Sequence, residues 1–210
     1  MLGTNFNQNF QVENSKDQKF LSNCLGVSSL VITSDQKIIM GIRSQHVGNP
    51  GTIDVPGGHP EPKSCRERGA GLPAGGLTNE TISKEIISSC KEEISLELNI
   101  KLEEITSHNF HAIIPKTGNQ KPLGYFVTKL SINSQTVEQR HKQGGPETDE
   151  FEKLCFYEME EAKRNLLGGI FSLNASLALA VYLFTVGDGL VKGYEDVLRF
   201  GRENVVKDEC

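Results

Sequence analysis

Glu93 and Glu97 stand four residues apart in a segment, Lys84 to Leu98, whose pattern predicts a helix. At 3.6 residues per turn, side chains at i and i+4 lie one above the other on the same face. Two carboxylates so placed destabilise an isolated helix by roughly 0.2–0.5 kcal/mol. A divalent cation between them reverses that sign, because hard cations take carboxylate oxygens as ligands. The competing reading is a pair of solvated surface charges, the commoner fate of acidic pairs on helices. Weighing against it is the upstream run Asp54-Val55-Pro56-Gly57-Gly58-His59-Pro60-Glu61-Pro62, where a strand-like Thr52 to Val55 enters a Pro-Gly-Gly turn. Adjacent glycines let backbone amides and carbonyls approach a ligand closely.

The elements that must position these groups can be read around them. Ile82, Ile86, Cys90, Ile94 and Leu98 recur every four residues and form an apolar stripe that Ile87 widens, so this face is expected to be core. Glu85, Ser89, Glu93 and Glu97 lie about 100° round from the stripe, which places the carboxylates at its edge. Asn79 with Glu80 forms an N-terminal cap, and Asn99 is suited to the left-handed residue that ends a helix. Upstream, Leu25–Thr33 and Lys37–Ile42 are β-branched runs around Ser34-Asp35-Gln36 and read as a hairpin closed by Arg43. Downstream, Ile105–Ile114 and Leu123–Ile132 read as strands joined by Thr117-Gly118-Asn119, with a last strand over Lys153–Glu158. Helices are expected over Glu160–Leu167 and Asn174–Val186, with Tyr182 and Phe184 in the core.

Several side chains along this frame could meet a ligand. An arginine at a strand end is solvated or, beside the Gly-Gly turn, grips a diphosphate through two parallel hydrogen bonds; Arg43 is open to both. Asp54 could accept from a ligand hydroxyl, orient Arg43 or be structural. His59 and Glu61 follow the turn between prolines that hold their backbone extended, and are read as reaching substrate. Tyr125 and Phe126 could stack on a base, with core packing expected for at least one. The loop Gln143–Glu150 offers Glu147 and Glu150 as a further acidic group, or a solvated acidic loop.

Composition bounds the rest. At 210 residues and 37% hydrophobic the chain can build one domain with a sizeable core, and its net charge of -5 argues against a nucleic-acid partner. No apolar run approaches bilayer length, and Met1 is not followed by a basic and then apolar signal segment, so neither membrane nor secretion is expected. The five cysteines are odd in number and form no C-x-x-C, which fits reduced thiols in a cytoplasmic or nuclear compartment. Residues 1–23 read as an irregular N-terminal segment, 24–190 as the domain with a flexible glycine-rich insert at about 64–78, and 191–210 as a charged tail.

A Gly-Gly loop followed by a helix with Glu at i and i+4 resembles the working part of the Nudix hydrolases, whose box reads G-x5-E-x7-R-E-U-x-E-E-x-G-U with U aliphatic. Glu93, Ile94, Glu97 and Ile100 match its second half; Glu92 stands for Arg, Leu96 for Glu and Asn99 for Gly. The insert makes the spacing from Gly58 to Glu93 about twenty residues longer than the box. Asp54 to Pro62, with Leu2-Gly3-Thr4-Asn5-Phe6, Leu25-Gly26-Val27, Ser88-Ser89 and Gly144-Gly145-Pro146-Glu147, is similar to the branch of that family acting on UDP-sugars. Because Leu2 to Asn5 matches an interior stretch of that branch, the resemblance implies that an N-terminal segment is missing here, through truncation, a gene-model error or lineage loss.

The resemblance implies an α/β fold, the Nudix α/β/α sandwich with a mixed sheet, and hydrolysis of UDP-glucose or a similar UDP-sugar to UMP and sugar 1-phosphate. It implies Mg2+ or Mn2+ on Glu93 and Glu97, aided by a carbonyl of Gly57 or Gly58, with Arg43, Asp54, His59 and Glu61 toward substrate. Leu96 in place of a third glutamate implies fewer metals and slower turnover. Three other readings remain open: a Nudix enzyme for another nucleoside diphosphate derivative, a catalytically weak nucleotide-binding module, and a fragment that cannot fold or bind without its missing start.

Overall fold

The structure, a computed structural model, describes residues 25–60, 78–115 and 121–186. The expectations for residues 1–23, for Glu61, for the insert up to residue 77, for the turn at 117–119 and for the tail lie outside the described residues.

β1 (Gly26–Ile32) and β2 (Ile38–Arg43) form the expected antiparallel hairpin, with Gln36 at φ 61° in the turn. The two strands pair at Val31↔Ile39 and Ile32↔Ile38 and then part company. Into the fork runs the segment after Thr52: β3 (Ile53–Asp54) pairs with Gly41 and Ile42 of β2, and β4 (Gly57–Gly58) pairs with Val27 and Ser28 of β1. The Pro-Gly-Gly turn is therefore wedged between two central strands rather than hung on an outer loop. β5 (Ile105–Pro115) and β6 (Pro122–Leu130) form a second antiparallel hairpin, and β6 lies parallel to β1. β7 (Phe151–Tyr157) pairs antiparallel with β2, completing a mixed seven-stranded sheet.

Helices cover both faces. β1 is buried along its whole length because alternate residues face opposite layers. Val27 and Val31 pack with Cys90, Ile94 and Leu98 of α1 (Asn79–Leu98) and with Val137 of α2 (Ser134–Gln143). Leu30 and Ile32 pack with Ala162 and Leu166 of α3 (Met159–Leu167) and with Ala175, Ala178 and Leu179 of α4 (Leu173–Val186). This is the α/β/α sandwich expected from the sequence.

Several particulars differ. Helix α1 starts at Asn79, five residues ahead of Lys84, and its apolar stripe is core only from Ile86 onward: Ile82 and Ile87 are exposed. Asn99 ends α1 at φ 52° as expected, and its amide donates to the carbonyls of Arg140 and Gly144, at 2.9 and 3.0 Å, tying α1 to α2. Phe184 is exposed, not core, whereas Tyr182 packs against the α4 cluster. Tyr125 and Phe126 are both buried, on opposite faces of β6, so neither is free to stack on a base.

Candidate active site

The sheet fork brings the glycine bend against the middle of α1. Gly57 must lack a side chain because a Cβ there would stand 2.2 Å from the Val27 carbonyl oxygen. At Gly58 a Cβ would stand 2.5 Å from the Glu93 carboxyl carbon, so that carboxylate fills the space the glycine leaves. Glu97 is wholly buried; its Oε2 accepts from the Gly57 N–H at 3.0 Å, and its Oε1 has no hydrogen-bond partner. Burial pushes the Glu97 carboxyl well above the usual carboxylate range; the charges of Glu150 and Glu93 add to this, while the Gly57 N–H and Arg43 oppose it. The sequence placed both glutamates at the edge of the apolar stripe. Glu93 is half-buried there, but Glu97 lies fully inside, because the bend closes over it.

The bend also lines a cleft of about 380 Å³, together with Arg43, Asp54, His59 and Glu150 among others; Glu93 and Glu97 are not on its lining. Arg43 donates from Nε to the Gly48 carbonyl at 2.6 Å, and its Nη2 lies 3.8 Å from Glu150 Oε2. Burial raises the Glu150 carboxyl against the opposing charge of Arg43. The late acidic loop thus delivers Glu150 to the cleft, whereas Glu147 stays off its lining and only adds negative charge near Glu150. Asp54 is buried and does not orient Arg43. Its Oδ1 accepts from the Val55 N–H at 2.9 Å and from the Asn174 amide at 3.0 Å. His59 is exposed at the cleft mouth, where its Nε2 meets Lys121 Nζ.

The sequence reading gave no role to Ser28, Lys121 or Asn174, nor to Val47, Gly48 and Asn49, all of which line the cleft. Asn174, in the first turn of α4, bonds Asp54 and also Ser28 Oγ, the latter at 3.1 Å; Lys121 reaches the cleft from just before β6. Pairing across 120 residues carries no local pattern, although a lone Asn opening an apolar helix such as Leu173–Val186 was a visible anomaly.

A small dication suits this donor set. Glu97 Oε1 is a buried acceptor with no donor, and the neighbouring Glu93 carboxylate repels it, so a cation on the pair relieves both penalties. Among the described residues no group of three or more His, Cys, Asp or Glu side chains converges as a metal cage, so other ligands would come from water and substrate.

No protein-family model matches the chain. It is 31% identical over 150 residues to the uridine diphosphate glucose pyrophosphatase NUDT22 of Mus musculus, covering 70% of this chain and 48% of that protein. It is 30% identical over 151 residues to the Homo sapiens counterpart, covering 71% and 50%, and 30% identical over 148 residues to Nudix hydrolase 9 of Arabidopsis thaliana, covering 65% and 48%. The chain spans about half the length of the curated relatives it matches. Among solved structures, Tm1382, assigned to the Nudix hydrolases, superposes with a TM-score of 0.51 at 14% identity over 81% of this chain and 76% of that one. A mixed sheet between two helical layers, with a glycine bend set on a glutamate-bearing helix, defines the Nudix fold. The chain belongs to the Nudix family, and over the matched stretch its relatives include the uridine diphosphate glucose pyrophosphatases.

Proposed function

We propose that this chain hydrolyses the diphosphate of a UDP-sugar such as UDP-glucose, giving UMP and sugar 1-phosphate. The observation that carries the reading is the state of Glu97: fully buried, one oxygen fixed by Gly57, the other unclaimed, with Glu93 beside it under a bend that lines an open cleft. Glu93 and Glu97 would hold a divalent cation, Mg2+ or Mn2+, which would supply positive charge to offset the diphosphate. Gly57 fixes the Glu97 carboxylate so that no rearrangement is needed at that oxygen. Arg43, already set by the Gly48 carbonyl, turns its remaining N–H groups to a phosphate oxygen. Glu150 keeps the guanidinium in place from the opposite side. Asp54, held by Asn174 and the Val55 N–H, serves as scaffold for the cleft wall, and His59 meets the substrate at the cleft mouth.

The substrate class comes from the relatives together with the Asp54 to Pro62 run, and a panel decides it. Release of UMP from UDP-glucose in Mg2+, measured beside ADP-ribose and coenzyme A, should be the fastest of the three. Glu93→Gln should lower that rate about 100- to 1,000-fold while the circular dichroism spectrum is kept. An unchanged rate in the variant, or a clear preference for ADP-ribose or coenzyme A, ends this reading.

A further inference from the structure

A second cation is built into the cleft opposite Arg43. Arg43 ends β2 and Lys121 just precedes β6, with the β3–β4 segment and β1 between those two strands. Both side chains line the cleft, and the Gly57–Gly58 bend over Glu93 and Glu97 lies between them. Lys121 is half-buried and its stem is seated on the backbone. A Cβ on Gly26 would meet Leu123 Cδ2 at 2.5 Å, Lys121 Cε at 2.9 Å and Nζ at 3.1 Å, so the glycine leaves room over β1 for both side chains. Its head donates to Nε2 of His59, the residue that leaves the bend. Held at both points, the ammonium gives up little side-chain entropy on meeting an anion.

We propose that Lys121 is a specificity-determining residue for the phosphate farther from Arg43, so that the cleft selects a phosphoanhydride over a phosphate monoester. A monoester presents one phosphate and can satisfy one wall of the cleft. A diphosphate spans the bend and meets both cations at once, with Glu93 and Glu97 beneath its bridge. This inference rests on the hydrolytic reading above and names the group that reads the second phosphate.

Calorimetric titration of the intact chain in Mg2+ with UDP and with UMP tests it. Lys121→Met should weaken UDP binding about tenfold or more and UMP binding less than twofold, and Lys121→Arg should recover most of the UDP affinity. Lys121→Gln takes the place of the methionine variant should that one lose its fold. Equal losses for UDP and UMP, or no loss for UDP, overturn the proposal and leave the hydrolytic reading standing. A wild-type chain that binds neither nucleotide removes both.

Discussion

Two buried carboxylates flank the same glycine bend, and the fold treats them in opposite ways. Asp54 has donors supplied by the protein: Oδ1 takes the Val55 N–H and the Asn174 amide. Glu97 takes one N–H, from Gly57, on Oε2; Oε1 has none, and Glu150 and Glu93 press negative charge on the group. A buried carboxylate given its donors by the chain can serve as scaffold. One left short of donors among like charges carries a free-energy cost of several kcal/mol that a cation can return. The α1 side of the bend is in this sense unfinished, while the α4 side is closed.

Replacing each carboxylate's support should separate the two sides. Glu97→Gln keeps an oxygen for Gly57 and deletes the charge. Activity should fall at least about 100-fold, while the thermal midpoint holds or rises, because the amide keeps the Gly57 hydrogen bond and carries no ionisable group to desolvate. The stabilisation that Mg2+ gives the wild-type chain should vanish with it. A variant that melts early yet turns over normally would make Glu97 scaffold and erase the contrast.

Asn174→Ala attacks the closed side. It strips a donor from Asp54 and another from Ser28, both buried, at a cost of about 1–3 kcal/mol, visible as a midpoint lowered by several degrees. Turnover per folded molecule should drop less than about tenfold. A collapse in kcat at an unchanged midpoint would place chemistry on the α4 side instead.

Much of the α1 side was legible because its signals are local. The i, i+4 glutamates, the Cys90-Ile94-Leu98 stripe, Asn99 and the Pro-Gly-Gly run each lie within a few residues of one another. The burial of Glu97 was not legible, since it depends on β1 and β2 splaying to admit Ile53 to Gly58, a consequence of register and not of composition. Helix α2 escaped because only Val137 among its residues is buried, so no apolar period marks it; Asn133, which accepts from the Thr136 N–H, and the basic last turn were the available cues. The α4 side was read least well, because Asp54, Ser28 and Asn174 meet across more than a hundred residues.

A third titratable group, half-buried, sharpens the rule that a missing partner signals a ligand. His108 on β5 stacks on Phe126 with ring centres 4.6 Å apart, and its Nδ1 lies 2.7 Å from Thr128 Oγ1, which also contacts Ser29 Oγ at 2.6 Å. Its Nε2 is buried without a partner, as Glu97 Oε1 is. The difference is charge. Burial, helped by the nearby Lys91, pushes the imidazole down to about 4, so it stays neutral at pH 7 and its unpaired nitrogen costs little. No carboxylate contributes to its shift and it is not on the lining of the cleft at the glycine bend, so the same defect here points to pH-dependent stability, not to a site. The unfolded chain binds this proton below its ordinary value of about 6.5, and the folded chain only near 4. Stability from this group is therefore complete above about pH 6.5 and is lost as the pH falls toward 4, by on the order of 1–2 kcal/mol after allowing for partial solvent access. Urea unfolding of wild type and His108→Gln at pH 7, 5.5 and 4.5 measures it. The variant should be less stable at pH 7 and show a shallower fall on acidification, whereas parallel curves would assign the acid sensitivity to other groups.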